Sequence, residues 1–146
     1  MRKVIVDTYA ILSAATDTLT PVAKNCMLEI KVGKIRGFIH YLIFYEIMYH
    51  WRRGRLPAFA REEDVIAYLT QSFREIRLDD IVAAEAAKVK VLGDKMLMEN
   101  VLLRDRKLSG CDATTIAVGK MLQMPIVSGD KDLMYVGEQF GVKVIW

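Results

Sequence analysis

The hydrophobic residues of this chain fall into short segments with two different periodicities. Short continuous apolar runs, such as the one that ends at Val6, are typical of strands buried on both faces of a sheet. Longer segments with apolar residues three and four positions apart predict helices. The predicted strands are residues 3–6, 36–40, 74–78, 125–128 and 142–146. The predicted helices are residues 21–32, 41–53, 62–73, 80–92, 109–122 and 131–140.

Capping residues support these boundaries. Thr20 suits an N-cap, Pro21 suits the first helical position, and Gly33 suits a left-handed helix end. Gly93 predicts the end of the helix that starts at residue 80, and residues 94–107 fit either a helix or a loop. Strands that alternate with helices predict an α/β fold with helices on both faces of a mostly parallel sheet.

Composition excludes several classes of protein. Of 146 residues, 53% are hydrophobic and 27% charged, so the chain is not a disordered segment, and we expect one domain over residues 1–146. No apolar run reaches the ~20 residues of a membrane span, and the first strand starts too early for a signal peptide. Cys26 and Cys111 are too few for a disulfide framework or a cysteine zinc site, which favours a reduced, cytoplasmic protein.

The net charge of +3 is too small to indicate a polyanionic partner, but the basic residues are clustered. One cluster contains Arg52, Arg53, Arg55 and Arg61, and a second contains Arg104, Arg106 and Lys107. Such clusters are commonly just solvated surface. If one of them binds the phosphates of a ligand, the second is the better candidate, because it lies close in sequence to Asp112.

Two acidic residues occupy positions that allow a structural or a functional interpretation. Asp7 follows the first strand, where it could cap the next segment or stand at the ligand-binding edge of the sheet. Glu46 lies in the middle of an apolar helix. It could occupy a narrow solvent-exposed stripe or pair with His50, but a buried carboxylate needs a partner or a metal ion.

Asp112 and Asp130 are ambiguous in the same way. Ser109 and Asp112 fit the S-x-x-D capping box at a helix start. Asp130 follows the strand 125–128 and the turn residue Gly129, and Asp132 comes two residues later. Capping explains each of these residues when it is taken alone.

The acidic residues gain a different meaning as a set, because the carboxyl ends of parallel strands meet at one edge of a sheet. Carboxylates that converge there repel one another unless a cation holds them. Ligands that are all oxygen suit Mg²⁺ or Mn²⁺ rather than zinc, and such an ion can generate hydroxide and stabilise charge on a phosphate. The set is Asp7, Glu46, Asp112 and Asp130.

The chain resembles the PIN-domain nucleases, and in particular the VapC-like toxins of prokaryotic toxin–antitoxin pairs. VIVDTYAIL resembles the opening strand of the family, and LSGCDATTIAVGKMLQMPIVSGDKDL resembles its most specific segment. The glutamate of the family's apolar helix falls on Glu46, and a further acidic position falls on Asp132. Ser128 and Leu133 stand where the family usually has Thr and Phe.

The resemblance implies a three-layer α/β/α fold with a short, mostly parallel five-stranded sheet of order 3-2-1-4-5. It also implies cleavage of single-stranded RNA with one or two Mg²⁺ or Mn²⁺ ions, a small antitoxin partner and a homodimer. Asp7, Asp112 and Asp130 would hold the metal or position water, and Glu46 would hold the metal or its water.

Other functions stay open. PIN domains also act in RNA maturation and decay, so a housekeeping nuclease is one alternative, and a non-catalytic binding domain is another. A phosphoacceptor signalling domain also gathers acidic residues at a sheet edge, but it would need a second acidic residue where this chain has Thr8. His40 and His50 lack a plausible nucleophile, which disfavours a Ser/Cys–His hydrolase. Cys111 is predicted to be a buried structural thiol that faces away from Asp112.

Overall fold

The structure is a computed structural model that describes residues 1–146. Its strands are β1 (Arg2–Val6), β2 (Ile35–His40), β3 (Arg74–Ile76), β4 (Ile126–Val127) and β5 (Val144–Ile145). Its helices are α1 (Thr8–Ala15), α2 (Pro21–Lys31), α3 (Tyr41–Arg52), α4 (Glu62–Ser72), α5 (Asp80–Glu99), α6 (Gly110–Leu122) and α7 (Lys131–Gln139).

The five strands form one parallel sheet in the order β3-β2-β1-β4-β5, which is the expected order. Val4, Ile5 and Val6 of the central strand β1 are all 0% exposed. Because successive side chains of a strand point to opposite faces, both faces of the sheet are covered at β1. The predicted three-layer α/β/α fold is confirmed.

The helices pack in two groups. Helix α3 contacts α1 and α4, whereas α5, α6 and α7 all contact one another. None of the helices has the length and apolar character needed to cross a membrane.

The apolar pattern does not predict helix α1. Asp7 alone separates β1 from α1, so no glycine, proline or polar cluster marks the change from strand to helix. Ala10 and Ile11 are buried, and only the short polar step Asp7-Thr8 and the exposed Tyr9 separate them from the apolar residues of β1. The apolar segment of this eight-residue helix is too short to show a helical periodicity.

The predicted end of a helix at Gly93 is wrong. Helix α5 continues through Gly93 to Glu99, so the first part of the ambiguous segment 94–107 is helical. A Cβ atom at position 93 would lie 2.8 Å from Leu108 Cδ2 and 3.1 Å from Val136 Cγ1. Glycine is therefore needed for close packing inside the helix, and not for a left-handed helix end.

Candidate functional site

The acidic residues gather around the point where the chain changes direction across the sheet. Successive strands run outward from β1 to β3, and the chain then crosses back to place β4 on the other side of β1. Asp7 follows β1, and Ser128 and Asp130 follow the neighbouring β4. In open α/β sheets this crevice at the carboxyl ends of the strands is the usual ligand site.

The buried carboxylate of Asp7 does not cap helix α1, so the capping interpretation of its side chain is wrong. The side chain is 2% exposed, Ser128 Oγ donates a 2.8 Å hydrogen bond to Oδ2, and Oδ1 has no hydrogen-bond partner. Burial raises the pKa of Asp7 to about 6; the Ser128 bond opposes this shift, and the charges of Glu46 and Asp130 add to it. An unpartnered buried carboxylate oxygen is costly and suits a cation ligand.

The hydroxyl of Ser128 joins two members of the acidic set. Besides donating to Asp7, it accepts a 3.1 Å hydrogen bond from the Asp130 backbone N–H. Asp130 Oδ1 in turn accepts from the backbone N–H groups of Asp132 and Leu133 at 2.9 and 3.1 Å. The predicted capping role of Asp130 is therefore confirmed for one of its two carboxylate oxygens.

Glu46 is held by a residue that the sequence reasoning did not single out. Thr8 Oγ1 donates a 2.6 Å hydrogen bond to Glu46 Oε1, which connects the start of α1 to the middle of α3. The predicted alternative of a pair with His50 is not seen, because His50 Nδ1 lies 3.0 Å from Arg55 Nη1 instead. Thr8 follows the site residue Asp7 directly, but nothing in the local sequence indicates its contact with Glu46, 38 residues away.

Asp112 combines the two roles that its position allows. Its backbone N–H donates a 3.0 Å hydrogen bond to Ser109 Oγ, which confirms that Ser109 caps α6. Burial raises the pKa of the Asp112 carboxyl to about 8, with further contributions from the charges of Asp7, Asp130 and Glu46. Ser109 therefore caps the helix through the backbone of Asp112, while the carboxylate of Asp112 interacts electrostatically with the other acidic residues.

The acidic residues converge without forming a complete metal cage. No three His, Cys, Asp or Glu side chains are placed so that they could hold one ion together. The donor set nevertheless fits Mg²⁺ or Mn²⁺, because all its atoms are carboxylate oxygens and Asp7 Oδ1 is buried without a partner. Two of the carboxylates have other partners in this structure, Glu46 with Thr8 and Asp130 with the N-terminus of α7.

The second basic cluster is only partly available for RNA. Arg106 Nε lies 2.8 and 2.9 Å from the two carboxylate oxygens of Asp132, which is buried. Asp132 therefore balances a cation instead of facing the other carboxylates as a free ligand. Arg104 and Lys107 are exposed, and their predicted contact with RNA stays a prediction.

Two buried residues outside the acidic set position helix α6. Leu42 N–H donates to His40 Nδ1 at 3.2 Å, so the ring carries its proton on Nε2, which lies 2.8 Å from Thr115 Oγ1. Thr115 donates onward to the Cys111 carbonyl at 2.8 Å. Burial lowers the pKa of His40 to about 4, so the ring is neutral. A lone histidine at a strand end gave no sequence signal for this role.

Hydrogen bonds from helix α5 also hold the residues that precede α6. Asp94 accepts a 2.8 Å hydrogen bond from the Leu108 N–H, and Lys90 donates to Asp94 and to the Leu108 carbonyl at 2.9 and 2.7 Å. Leu108 immediately precedes Ser109, the cap of α6. Cys111 is a buried thiol, as predicted, and burial raises its pKa, with a further contribution from the charges of Glu46 and Asp7.

Gly129 is required by packing and not by its backbone conformation. Its φ is not in the positive region, but a Cβ atom there would lie 2.7 Å from Tyr9 Cε1 and closer still to the Trp146 ring. The Tyr9 and Trp146 rings meet edge to face with centroids 5.3 Å apart. These aromatic rings therefore cover the loop that carries Asp130.

Comparisons with known proteins support the fold and nothing finer. No family model matches the chain, and no curated protein matches its sequence. The crystal structure of PAE2754 from Pyrobaculum aerophilum is similar, with a TM-score of 0.64 and 20% identity over 98% of this chain and 89% of that chain. At this identity the similarity shows a shared fold alone.

Proposed function

We propose that this chain is a metal-dependent endoribonuclease of the PIN-domain type that cleaves single-stranded RNA. The observation that carries the proposal is the position of Asp7. It is buried at the carboxyl end of β1, where the chain crosses from one side of the sheet to the other, and its Oδ1 has no hydrogen-bond partner. Burial is the largest cause of the raised pKa values of Asp7 and Asp112, and the charges of Glu46 and Asp130 oppose the ionisation of both. Folding this arrangement costs free energy that a divalent cation would offset.

The roles of the residues follow from their contacts. Asp7, Asp112 and Asp130 would hold Mg²⁺ or Mn²⁺, since each offers a carboxylate oxygen that is not needed for capping. Such an ion, when bound, would supply an activated water at neutral pH and would stabilise charge on the phosphate. Glu46 would orient the attacking water through the oxygen that Thr8 does not bind, and Ser128 keeps Asp7 turned into the site.

The biological setting is part of the same proposal and rests on the resemblance to VapC-like toxins. It comprises a cytoplasmic toxin, a small antitoxin and a homodimer. A small neighbouring reading frame that encodes a DNA-binding fold with a flexible tail would support the toxin role over RNA maturation.

Cleavage assays with single-stranded RNA test the chemistry. Asp7→Asn removes a charge and little volume, so we expect it to lower the cleavage rate by orders of magnitude while the melting temperature is maintained. EDTA should have the same effect on the wild-type protein, and Mn²⁺ should restore cleavage to the wild type alone. Asp17→Asn makes the same chemical change at an exposed position and should leave the rate unchanged. Undiminished cleavage in EDTA would refute the proposal.

A further inference from the structure

Three exposed tyrosines form a stripe along helix α3. Tyr41, Tyr45 and Tyr49 are 63%, 56% and 46% exposed and lie four residues apart, so they share one face of the helix. The Tyr45 and Tyr49 rings are nearly parallel, with an angle of 13° between their planes and centroids 6.5 Å apart. Aromatic rings with this much exposed surface are unusual on a helix that needs only polar residues toward solvent.

The stripe is continuous with the acidic set at one side and with arginines at its end. Tyr49 and His50 lie three and four residues after Glu46, and Arg53 follows them at the end of α3. Arg53 Nη1 donates a 2.9 Å hydrogen bond to Tyr49 Oη, and its guanidinium lies 5.6 Å from the centroid of that ring. Glu46 and Arg53 are seven residues apart, which is ~10 Å along a helix. A single strand of a few nucleotides could therefore contact both residues.

The charges of this face are not neutralised within the chain. Arg52 pairs with Glu62 on α4, but Arg53 and Arg55 form no ion pair with a carboxylate, and Arg55 contacts His50 instead. Two guanidinium groups without a carboxylate partner lie beside exposed aromatic rings. Such groups can bind the phosphates and the base faces of single-stranded nucleic acid. A purely apolar partner would leave both charges unpaired.

We propose that the α3 face formed by Tyr45, Tyr49, Arg53 and Arg55 binds the part of a single-stranded RNA that flanks the cleaved phosphate. Bases stack on the tyrosine rings, and phosphates contact the arginines. This proposal rests on the proposed ribonuclease function and adds the surface that guides the strand to the acidic set. Stacking and phosphate contacts do not depend on which base is present. The face therefore contributes to the affinity for RNA and not to sequence specificity.

The test measures binding without cleavage. A short fluorescein-labelled oligoadenylate is titrated by fluorescence anisotropy over a salt series, with the Asp7→Asn protein in Mg²⁺ and the wild-type protein in EDTA. Tyr49→Leu should weaken binding by about 5- to 100-fold, whereas Tyr49→Phe keeps the ring and should bind as before. Arg53→Gln should reduce the salt slope by about 0.7. Lys34→Gln, at the opposite edge of the sheet, should change neither affinity nor slope.

A base-free competitor separates the two kinds of contact. We expect Tyr49→Leu to leave the affinity for inorganic polyphosphate unchanged and Arg53→Gln to weaken it. Equal RNA affinity in the Tyr49→Leu, Arg53→Gln and parent proteins would overturn the proposal. So would a Tyr49→Leu protein that changes its oligomeric state in sedimentation without losing RNA affinity, because α3 would then be an interface between copies of this chain.

Failure of this proposal is distinguishable from failure of the proposed function. If the wild type cleaves RNA with Mn²⁺ while these substitutions leave binding unchanged, the ribonuclease function stands and the α3 surface does not. If no cleavage occurs with any metal but Tyr49→Leu and Arg53→Gln still weaken binding as expected, the surface stands and the cleavage function does not.

Discussion

At the scale of single residues, Ser128 connects two members of the acidic set, Asp7 and Asp130. Its fully buried hydroxyl donates to Asp7 and accepts from the Asp130 backbone, so one oxygen fixes groups that follow two neighbouring strands. The Ser128 hydrogen bond also keeps the pKa of Asp7 lower than burial alone would set it. Without this donor, both oxygens of a buried carboxylate would lack a partner.

We therefore expect Ser128→Ala to lower the free energy of unfolding by about 1–3 kcal/mol, since it leaves a buried donor and a buried acceptor unsatisfied. Urea unfolding of the metal-free protein measures this change. Ser13→Ala is the matched control: Ser13 is also buried, but its hydroxyl contacts no member of the acidic set. The control should stay within about 0.5 kcal/mol of the wild type. Equal losses in the two variants would contradict the specific role of Ser128.

Sequence patterns predicted the acidic residues better than the hydroxyl groups that hold them. A carboxylate after a buried strand or inside an apolar helix is unusual, so Asp7 and Glu46 were visible from the sequence. Thr8 and Ser128 are ordinary residues at strand and helix ends, and their roles depend on which side chain lies across the crevice. Such pairings over long sequence separations, as between Ser128 and Asp7, have no local signal.

At the scale of helices and strands, His40 connects the end of β2 to helix α6 through its hydrogen bond with Thr115. Its lowered pKa also makes the free energy of unfolding depend on pH. The pKa of His40 is about 4 in the folded chain and 6.5 in its ordinary state. Between these values the unfolded chain binds a proton that the folded chain does not, so stability falls as the pH decreases. From about pH 7.5 to about pH 5 the loss should be about 2 kcal/mol.

Urea unfolding of the wild type and of His40→Asn in EDTA at both pH values tests this link. Asn retains a capping side chain for α3 but cannot titrate, so the difference in stability between the two proteins should shrink by about 2 kcal/mol at the lower pH. The raised pKa values of Asp7 and Asp112 act with the opposite sign, but they occur in both proteins and cancel. His50→Asn, at a partly exposed ring, should show a smaller effect. If the free energies of unfolding of the wild type and His40→Asn changed equally with pH, the His40 ring would not be held neutral in the folded chain.

The elements that the sequence failed to predict are those whose limits are set by packing. Helix α5 passes Gly93 because Leu108 and Val136 occupy the space that a side chain would need. Helix α1 begins directly after Asp7 with no turn residue between strand and helix. By contrast, Thr20 accepts from the Ala23 N–H as a predicted helix cap should, because capping depends only on neighbours in sequence.

At the scale of the whole molecule, the acidic set links stability to metal concentration. Folding buries Asp7 and Asp112, which is the largest cause of their raised pKa values, and the charges of the other carboxylates raise these values further. An ion that binds the folded chain alone adds about 2.7 kcal/mol at a hundredfold excess over its Kd. We therefore expect Mg²⁺ or Mn²⁺ to raise the melting temperature by several degrees, beyond the effect of NaCl at equal ionic strength.

The double variant Asp112→Asn, Asp130→Asn separates metal binding from helix capping. Asparagine caps helices about as well as aspartate, so the metal-free melting temperature should stay the same or rise, because repulsion with Asp7 is relieved. The rise caused by metal should disappear in this variant and persist in Glu63→Gln, a change at an exposed position on α4. Calorimetry with and without metal measures both quantities. A metal response that survives in the double variant would leave Asp130 with its capping role alone and Asp112 with no role beyond the first turn of α6, and the ion would have to bind elsewhere.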